Sequence, residues 1–140
     1  MELQEIFLQM QKLPKGFIIE NPHDFIYTDF KLPKHVLHIL NTNNQNLLFT
    51  RLSIKHLAEK DELGLYLFEH IREVLENPDS VHLGNFSNRF LISKEVIIRE
   101  TRKSHIITIE ITENKDNIIV TSFIGKATYL KNLKLLWGTT

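Results

Sequence analysis

The chain has 140 residues, 42% of them apolar and none of them cysteine, which suits one core in a single domain, 1–140, and excludes disulfides, thiolate metal sites and a cysteine nucleophile. Seventeen basic and seventeen acidic side chains cancel, which argues against a sequence-independent nucleic-acid binder held by a general basic excess. The N-terminus carries two Glu and three Gln before its second Lys, unlike a signal peptide, and no run approaches the ~20 apolar residues of a membrane span, so the expected setting is the cytoplasm, away from membranes.

In chain order, Leu3, Ile6, Phe7, Met10 and Leu13 recur at spacings of three and four and predict an amphipathic helix over 2–13, ended by Pro14 and Gly16. Residues 16–32 mix β-branched and aromatic side chains around Asn21-Pro22, which predicts two short strands and a turn. A turn or two of helix is expected over His35 to Leu40, an exposed loop over the polar run 41–46, and a short strand over Leu47 to Arg51. Ser53 is the expected N-cap of the next helix, broken near Asp61 and Gly64 and stopped by Asn77-Pro78. In its longer half the expected buried stripe is Leu65, Phe68, Ile71 and Leu75.

Strands are predicted over 81–83, 89–93, 95–100, 105–112 and 117–124. A last helix is expected after Gly125, with Tyr129, Leu130, Leu133, Leu136 and Trp137 on one stripe and Gly138 as its C-cap. Helices before strands predict an α+β fold, helices on one face of a small, roughly four-stranded antiparallel sheet, with an N-terminal helix and short-strand extension over 1–46.

The five Gly are isolated and His-Glu-x-x-His, EF-hand and Gly-x-Ser-x-Gly patterns are missing, so neither a cofactor nor a metal is expected. Seven His are scattered, and only His35 and His38 share a helical spacing, which ordinary polar contacts explain better than metal binding. His56, one turn after Ser53, is a candidate acid or base, against the plain alternative of a solvated helix histidine. Arg89, Lys94 and Arg99, with Arg102, Lys103 and His105 beyond, form a candidate phosphate-holding group; exposed sheets carry such charges routinely.

A four-residue hairpin loop over 113–116 predicts that Thr112 pairs with Asn117, Thr108 with Thr121 and Ile107 with Ser122. In that register Ile107, Ile109, Ile111, Ile118, Val120 and Ile124 face the core, and Val120 meets Ile109. Thr108, Glu110 and Thr121 then share the other face, while Ser122 and His105 point to the core side.

The order of these parts, Ser-x-x-His opening a helix, an Asn-Pro stop, strands with Arg89 and Lys94, then IIVTSFIGKATYLKNLKLLW, resembles the phage-associated barnase, EndoU, colicin and RelE-like ribonuclease superfamily. The likeness covers roughly Phe49 to Trp137 and implies a nuclease-like core over 47–137. It implies helices before a four-stranded antiparallel sheet and an active site of a helix His, sheet cations and a late-strand Ser or Thr. By position these are His56, Arg89 or Lys94, and Thr121 with Ser122. The function so implied is metal-independent RNA cleavage by general acid and base, with RNA and a cognate inhibitor or phage protein as partners. The alternative is a non-catalytic accessory or protein-interaction domain.

Overall fold

A computed structural model describes residues 2–126 and 128–138. Four helices, α1 (Leu3–Gln11), α2 (Lys34–Leu40), α3 (Arg51–Ala58) and α4 (Asp61–Glu76), alternate with and precede seven strands. The strands are β1 (Phe25–Lys31), β2 (Asn46–Thr50), β3 (Ser80–Leu83), β4 (Arg89–Ile98), β5 (Thr101–Ile111), β6 (Asn117–Lys126) and β7 (Leu135–Gly138). They form one mixed sheet in the order β1-β2-β6-β5-β4-β3-β7, antiparallel except where β2 runs parallel to β6.

The α+β class is as the sequence predicts, but the sheet has seven strands and not four. Residues 1–46 account for part of the difference. Their single strand β1 pairs with β2, and Phe7, Met10, Phe30, Leu32, Val36, Leu37 and Leu40 enter the same core as Ile54, Ile71, Ile92 and Ile107. All four helices contribute to this core, which lies on one face of the sheet.

The local chemistry explains the helix boundaries. Thr50, not Ser53, is the N-cap of α3: its hydroxyl accepts from Ser53 N–H at 3.1 Å while the Ser53 hydroxyl accepts from Thr50 N–H at 3.0 Å, a reciprocal capping box. Thr50→Ala is therefore expected to cost about 1 kcal/mol in a urea titration, and an unchanged midpoint would show that the box contributes nothing. Gly64 sits where α4 crosses α3, and a Cβ there would lie 2.2 Å from the Leu57 carbonyl oxygen. That close approach sets the rotation of α4, whose buried residues are Gly64, Leu67, Ile71, Val74 and Leu75. The expected stripe is displaced: Leu65 is exposed and Phe68 only half-buried, stacked on Phe7.

The expected C-terminal helix is a single 3₁₀ turn, Tyr129–Asn132, followed by β7; Ala127, which it included, lies outside the described residues. Leu135, Leu136 and Trp137 fit a strand as well as a helix, and the open edge of β3 supplied unpaired backbone groups that only a strand satisfies. Gly138 has φ +95°, and a Cβ on it would overlap the Asp79 carbonyl oxygen. It permits close contact with β3 and is no helix cap.

Candidate functional site

The two sheet faces differ in kind. Helices cover one; the other, here the outer face, carries a small apolar cluster of Leu91, Ile106 and Leu130 with Phe123 and Leu133. Directly opposed residues share a face, so the register defines cross-strand rows on the outer side. One row runs His82, Leu91, Thr108, Thr121 across β3, β4, β5 and β6. The next carries Arg89, Glu110 and Ile118.

The predicted pairing of Thr108 with Thr121 and Ile107 with Ser122 holds. Beyond it a β-bulge intervenes, and Ile109 pairs with Ile119, Glu110 with Ile118 and Ile111 with Asn117. Val120 is the extra residue, half-exposed, so the predicted meeting of Val120 with Ile109 does not form. Ile119 replaces Val120 in the core and Ile118 turns to the outer face. Residues 119 and 121 would share a face in a regular strand; the bulge lets Ile119 enter the core while Thr121 faces outward.

On the outer face the Thr121 hydroxyl donates to the Thr108 hydroxyl at 2.8 Å. Beside it Arg89 Nε donates to Glu110 Oε1 at 3.1 Å. The Arg89 guanidinium also lies 5.2 Å from the Phe86 ring centre. Arg89 and Thr108 line a cleft of about 180 Å³ together with Asn85, Phe86, Tyr129 and Asn132. Phe86 and Tyr129 are 60% and 49% exposed, leaving two aromatic surfaces open beside a cation. Phe86 and Tyr129 escape the sequence reading, because GNFSN reads only as a turn and Tyr129 as part of a helix stripe.

Arg89 and Thr121 thus share the outer face, as does Arg102 by its parity at the far end of β5, while His56, Lys94 and Ser122 do not. His56 is exposed on α3, on the helix side, beside Gly16, Phe17, Ile18 and Leu52. The helix packs its Ile54, Leu57 and Ala58 against the sheet from that side, so the sheet separates His56 from Thr121. Lys94 also points to the helix side, donating to the Asn77 carbonyl at 2.8 Å, 3.9 Å from Glu73 and Asp79 carboxylates. It closes the C-terminus of α4, where a cation meets orphan carbonyls and the negative end of the helix dipole. Arg99 and Glu100, with φ 51° and 65°, make the tight turn joining β4 to β5, and Arg102 pairs with Glu95 at 3.4 Å.

Ser122 is buried on the helix side, as the register predicts, its hydroxyl 2.7 Å from His105 Nε2. Lys60 Nζ donates to the Ser122 carbonyl at 2.7 Å. His105 is wholly buried, and burial, with the nearby His70 and Lys60 charges, lowers its pKa to about 4. Its ring is neutral at pH 7, a structural group that no substrate reaches. His82 is the one histidine on the outer face. It too is wholly buried, with Nδ1 3.4 Å from the Ser80 hydroxyl and Nε2 without a partner among the described residues. Burial lowers its pKa.

Among the described residues no group of three or more His, Asp or Glu is placed to hold a metal, and no helix is long and apolar enough to cross a membrane. The His35 ring packs on Trp137 at 4.6 Å. Comparison with protein-family models, with curated proteins and with solved structures finds no match to this chain.

Proposed function

We propose that this chain acts on RNA from the outer face of its sheet, as a metal-independent endoribonuclease. The reading rests on one observation: Arg89, Glu110, Thr108 and Thr121 stand together on two adjacent rows beside a cleft edged by two exposed aromatic rings. Each part matches a need of phosphodiester cleavage. Phe86 and Tyr129 offer stacking surfaces to unpaired bases, a form of binding that does not require a basic surface overall. The Thr108 and Thr121 hydroxyls hydrogen-bond the phosphate, and the Arg89 guanidinium neutralises the charge that grows on it.

Substrate binding changes the partner of Arg89 from Glu110 to the phosphate, which frees the carboxylate. Glu110 then takes the proton of the 2′-hydroxyl, the 2′-oxygen bonds to phosphorus, the bond to the 5′-oxygen breaks, and that oxygen leaves with a proton taken from water in the open cleft. His56, Lys94 and Ser122 take no part in this scheme.

Purified protein incubated with labelled RNA, with and without EDTA, tests the reading. Cleavage should survive EDTA. Arg89→Ala and Glu110→Gln should each slow it by about 10² to 10⁴-fold, and Thr121→Val by a smaller factor. His56→Ala should cut at the wild-type rate. Equal cleavage by wild type and Arg89→Ala would show that the outer face is not the site. Binding of RNA without any cleavage would favour the non-catalytic reading, for which the supporting feature is the exposed apolar segment of Phe17 and Ile18, 49% and 91% exposed.

A further inference from the structure

We infer that the cleft beside Arg89 is a reading pocket for a single unstacked adenine, addressed by the amides of Asn85 and Asn132. The inference rests on the outer-face RNA site proposed above and names the base which that site takes. Three observations lead to it. The first is size. At about 180 Å³ the cleft is smaller than the roughly 300 to 1,000 Å³ of pockets for drug-sized ligands, which suits one base and leaves no room for two.

The second observation is that the cleft is held in shape. The Gly84 N–H donates to the Arg89 carbonyl at 2.8 Å and the Arg89 N–H to the Phe86 carbonyl at 3.0 Å, so the loop carrying Asn85 and Phe86 is closed on itself. Asn88 pins that loop to β5: its carbonyl accepts from the Ile111 N–H at 2.9 Å, and its side-chain amide donates to the Ile111 carbonyl at 3.3 Å. The turn bearing Tyr129 and Asn132 is seated by Leu130 and Leu133, which pack with Leu91 and Ile106. Tyr129 itself meets Phe123 edge-on, with ring centres 5.2 Å apart. Neither side has to become ordered on binding, which lowers the cost of holding a small ligand.

The third is the chemistry of the lining. Phe86 and Tyr129 present open ring surfaces, and Asn85 and Asn132 are exposed, so their amides meet what enters. An asparagine amide offers an acceptor and a donor side by side, the complement of the N6 amino group and N7 of adenine. Guanine requires an Arg or Lys on O6 and N7, and cytosine a carboxylate on its N4 amino group. The Arg89 guanidinium is turned to Glu110 and the Phe86 ring, and among the described residues no carboxylate lines the cleft. With the base in the cleft, its own phosphate meets Arg89 on the same lining. The ligand is therefore an adenylate, either a free nucleotide or one unit of single-stranded RNA.

Calorimetric titration with 2′-O-methyl homopolymers, which bind without being cleaved, and with adenosine monophosphate tests the inference. Oligo(A) should bind more tightly than oligo(U) or oligo(C) by about 5 to 150-fold, the worth of one bidentate contact. Strands built with 7-deazaadenine, or with purine lacking the 6-amino group, should lose that preference. The Asn85→Ala, Asn132→Ala double variant should bind oligo(A) only as well as oligo(U), with an unchanged melting temperature. A preference for adenine that survives in the double variant overturns the role of the amides. Equal affinity of wild type for all homopolymers overturns the adenine pocket, and cleavage that is still lost in Arg89→Ala would then keep the reading of the site. Binding of adenosine monophosphate without any binding of RNA supports the pocket, makes the free nucleotide its ligand and overturns the ribonuclease reading. Failure to bind either overturns both.

Discussion

Lys55→Ala should cost about 1.5 to 3 kcal/mol of folding stability, a sizeable part of a margin that for a domain is about 5 to 15 kcal/mol. Lys55 is 1% exposed although its side chain ends in a charge. Its ammonium donates to Glu59 Oε2 at 2.9 Å and to the Pro14 carbonyl at 3.1 Å. Glu59 in turn accepts from the Gly16 N–H at 2.6 Å. The pair therefore ties the loop after α1 to α3. Removing the lysine leaves a carboxylate and a carbonyl without their donor, and the loop loses its anchor. The Lys55 hydrogen bond, then the Gly16 N–H, holds the Glu59 carboxyl below its usual range, so this contribution is present above the ordinary carboxylate pKa and fades as acid protonates it. Urea denaturation of Lys55→Ala and of the Lys55→Met, Glu59→Met double variant separates the effects: the double variant should recover part of the loss, because methionine refills the buried space of the lysine stem and no carboxylate is left without its cation. A single variant within 1 kcal/mol of wild type would mean that the loop is held by other contacts.

Acid should destabilise the fold through His105. Its folded pKa of about 4 lies below the ordinary 6.5. Between those values the unfolded chain binds a proton that the folded one refuses, so stability rises with pH across this window and falls as pH drops from about 6.5 to about 4. The loss attributable to this one ring is about 3 kcal/mol. His82, also lowered by burial, adds in the same direction. His105→Gln keeps an amide able to meet the Ser122 hydroxyl and removes the titration. The stability difference between about pH 7.5 and about pH 4 should therefore shrink in His105→Gln relative to wild type. Equal losses in the two proteins would show that acid acts elsewhere.

The pairing of Thr108 with Thr121 was legible because two alternating runs meet across one short turn. The expected pair of Thr112 with Asn117 does not form: the loop is one residue longer, Asn117 pairs with Ile111, and the bulge at Val120 restores the expected register at Thr121. The outward direction of Glu110 and the burial of His105 and Ser122 follow from the same alternation. That alternation alone makes Thr108 and Glu110 neighbours of Thr121. The bulge at Val120 could not be read, since IIVTS offers no local residue that demands it; it resolves a competition between packing Ile119 and turning Thr121 outward.

His56 shows the limit of a motif. It lies in the last turn of α3 and not the first, because Thr50 and not Ser53 caps the helix; sequence spacing also gives no information on which sheet face a helix covers, and α3 packs behind the strand that bears Thr121. Lys94 fails in the same way: it resembles a phosphate ligand in sequence, but its parity on β4 directs it toward the end of α4.

By itself the sequence determined the α+β class, the helices at the start, the hairpin of β5 and β6, and the parity of its side chains up to the bulge, because all of these depend on periodicity and turn chemistry within a few residues; the single long β4 was expected as two strands, 89–93 and 95–100. Tertiary structure alone decided the sheet order, the insertion of β2 parallel to β6, the strand β7 in place of a helix, and the placing of Arg89, Phe86 and Tyr129 beside Thr108, Glu110 and Thr121. Those features depend on residues far apart in the chain, where the need to pair open strand edges and to cover apolar faces outweighs local preference.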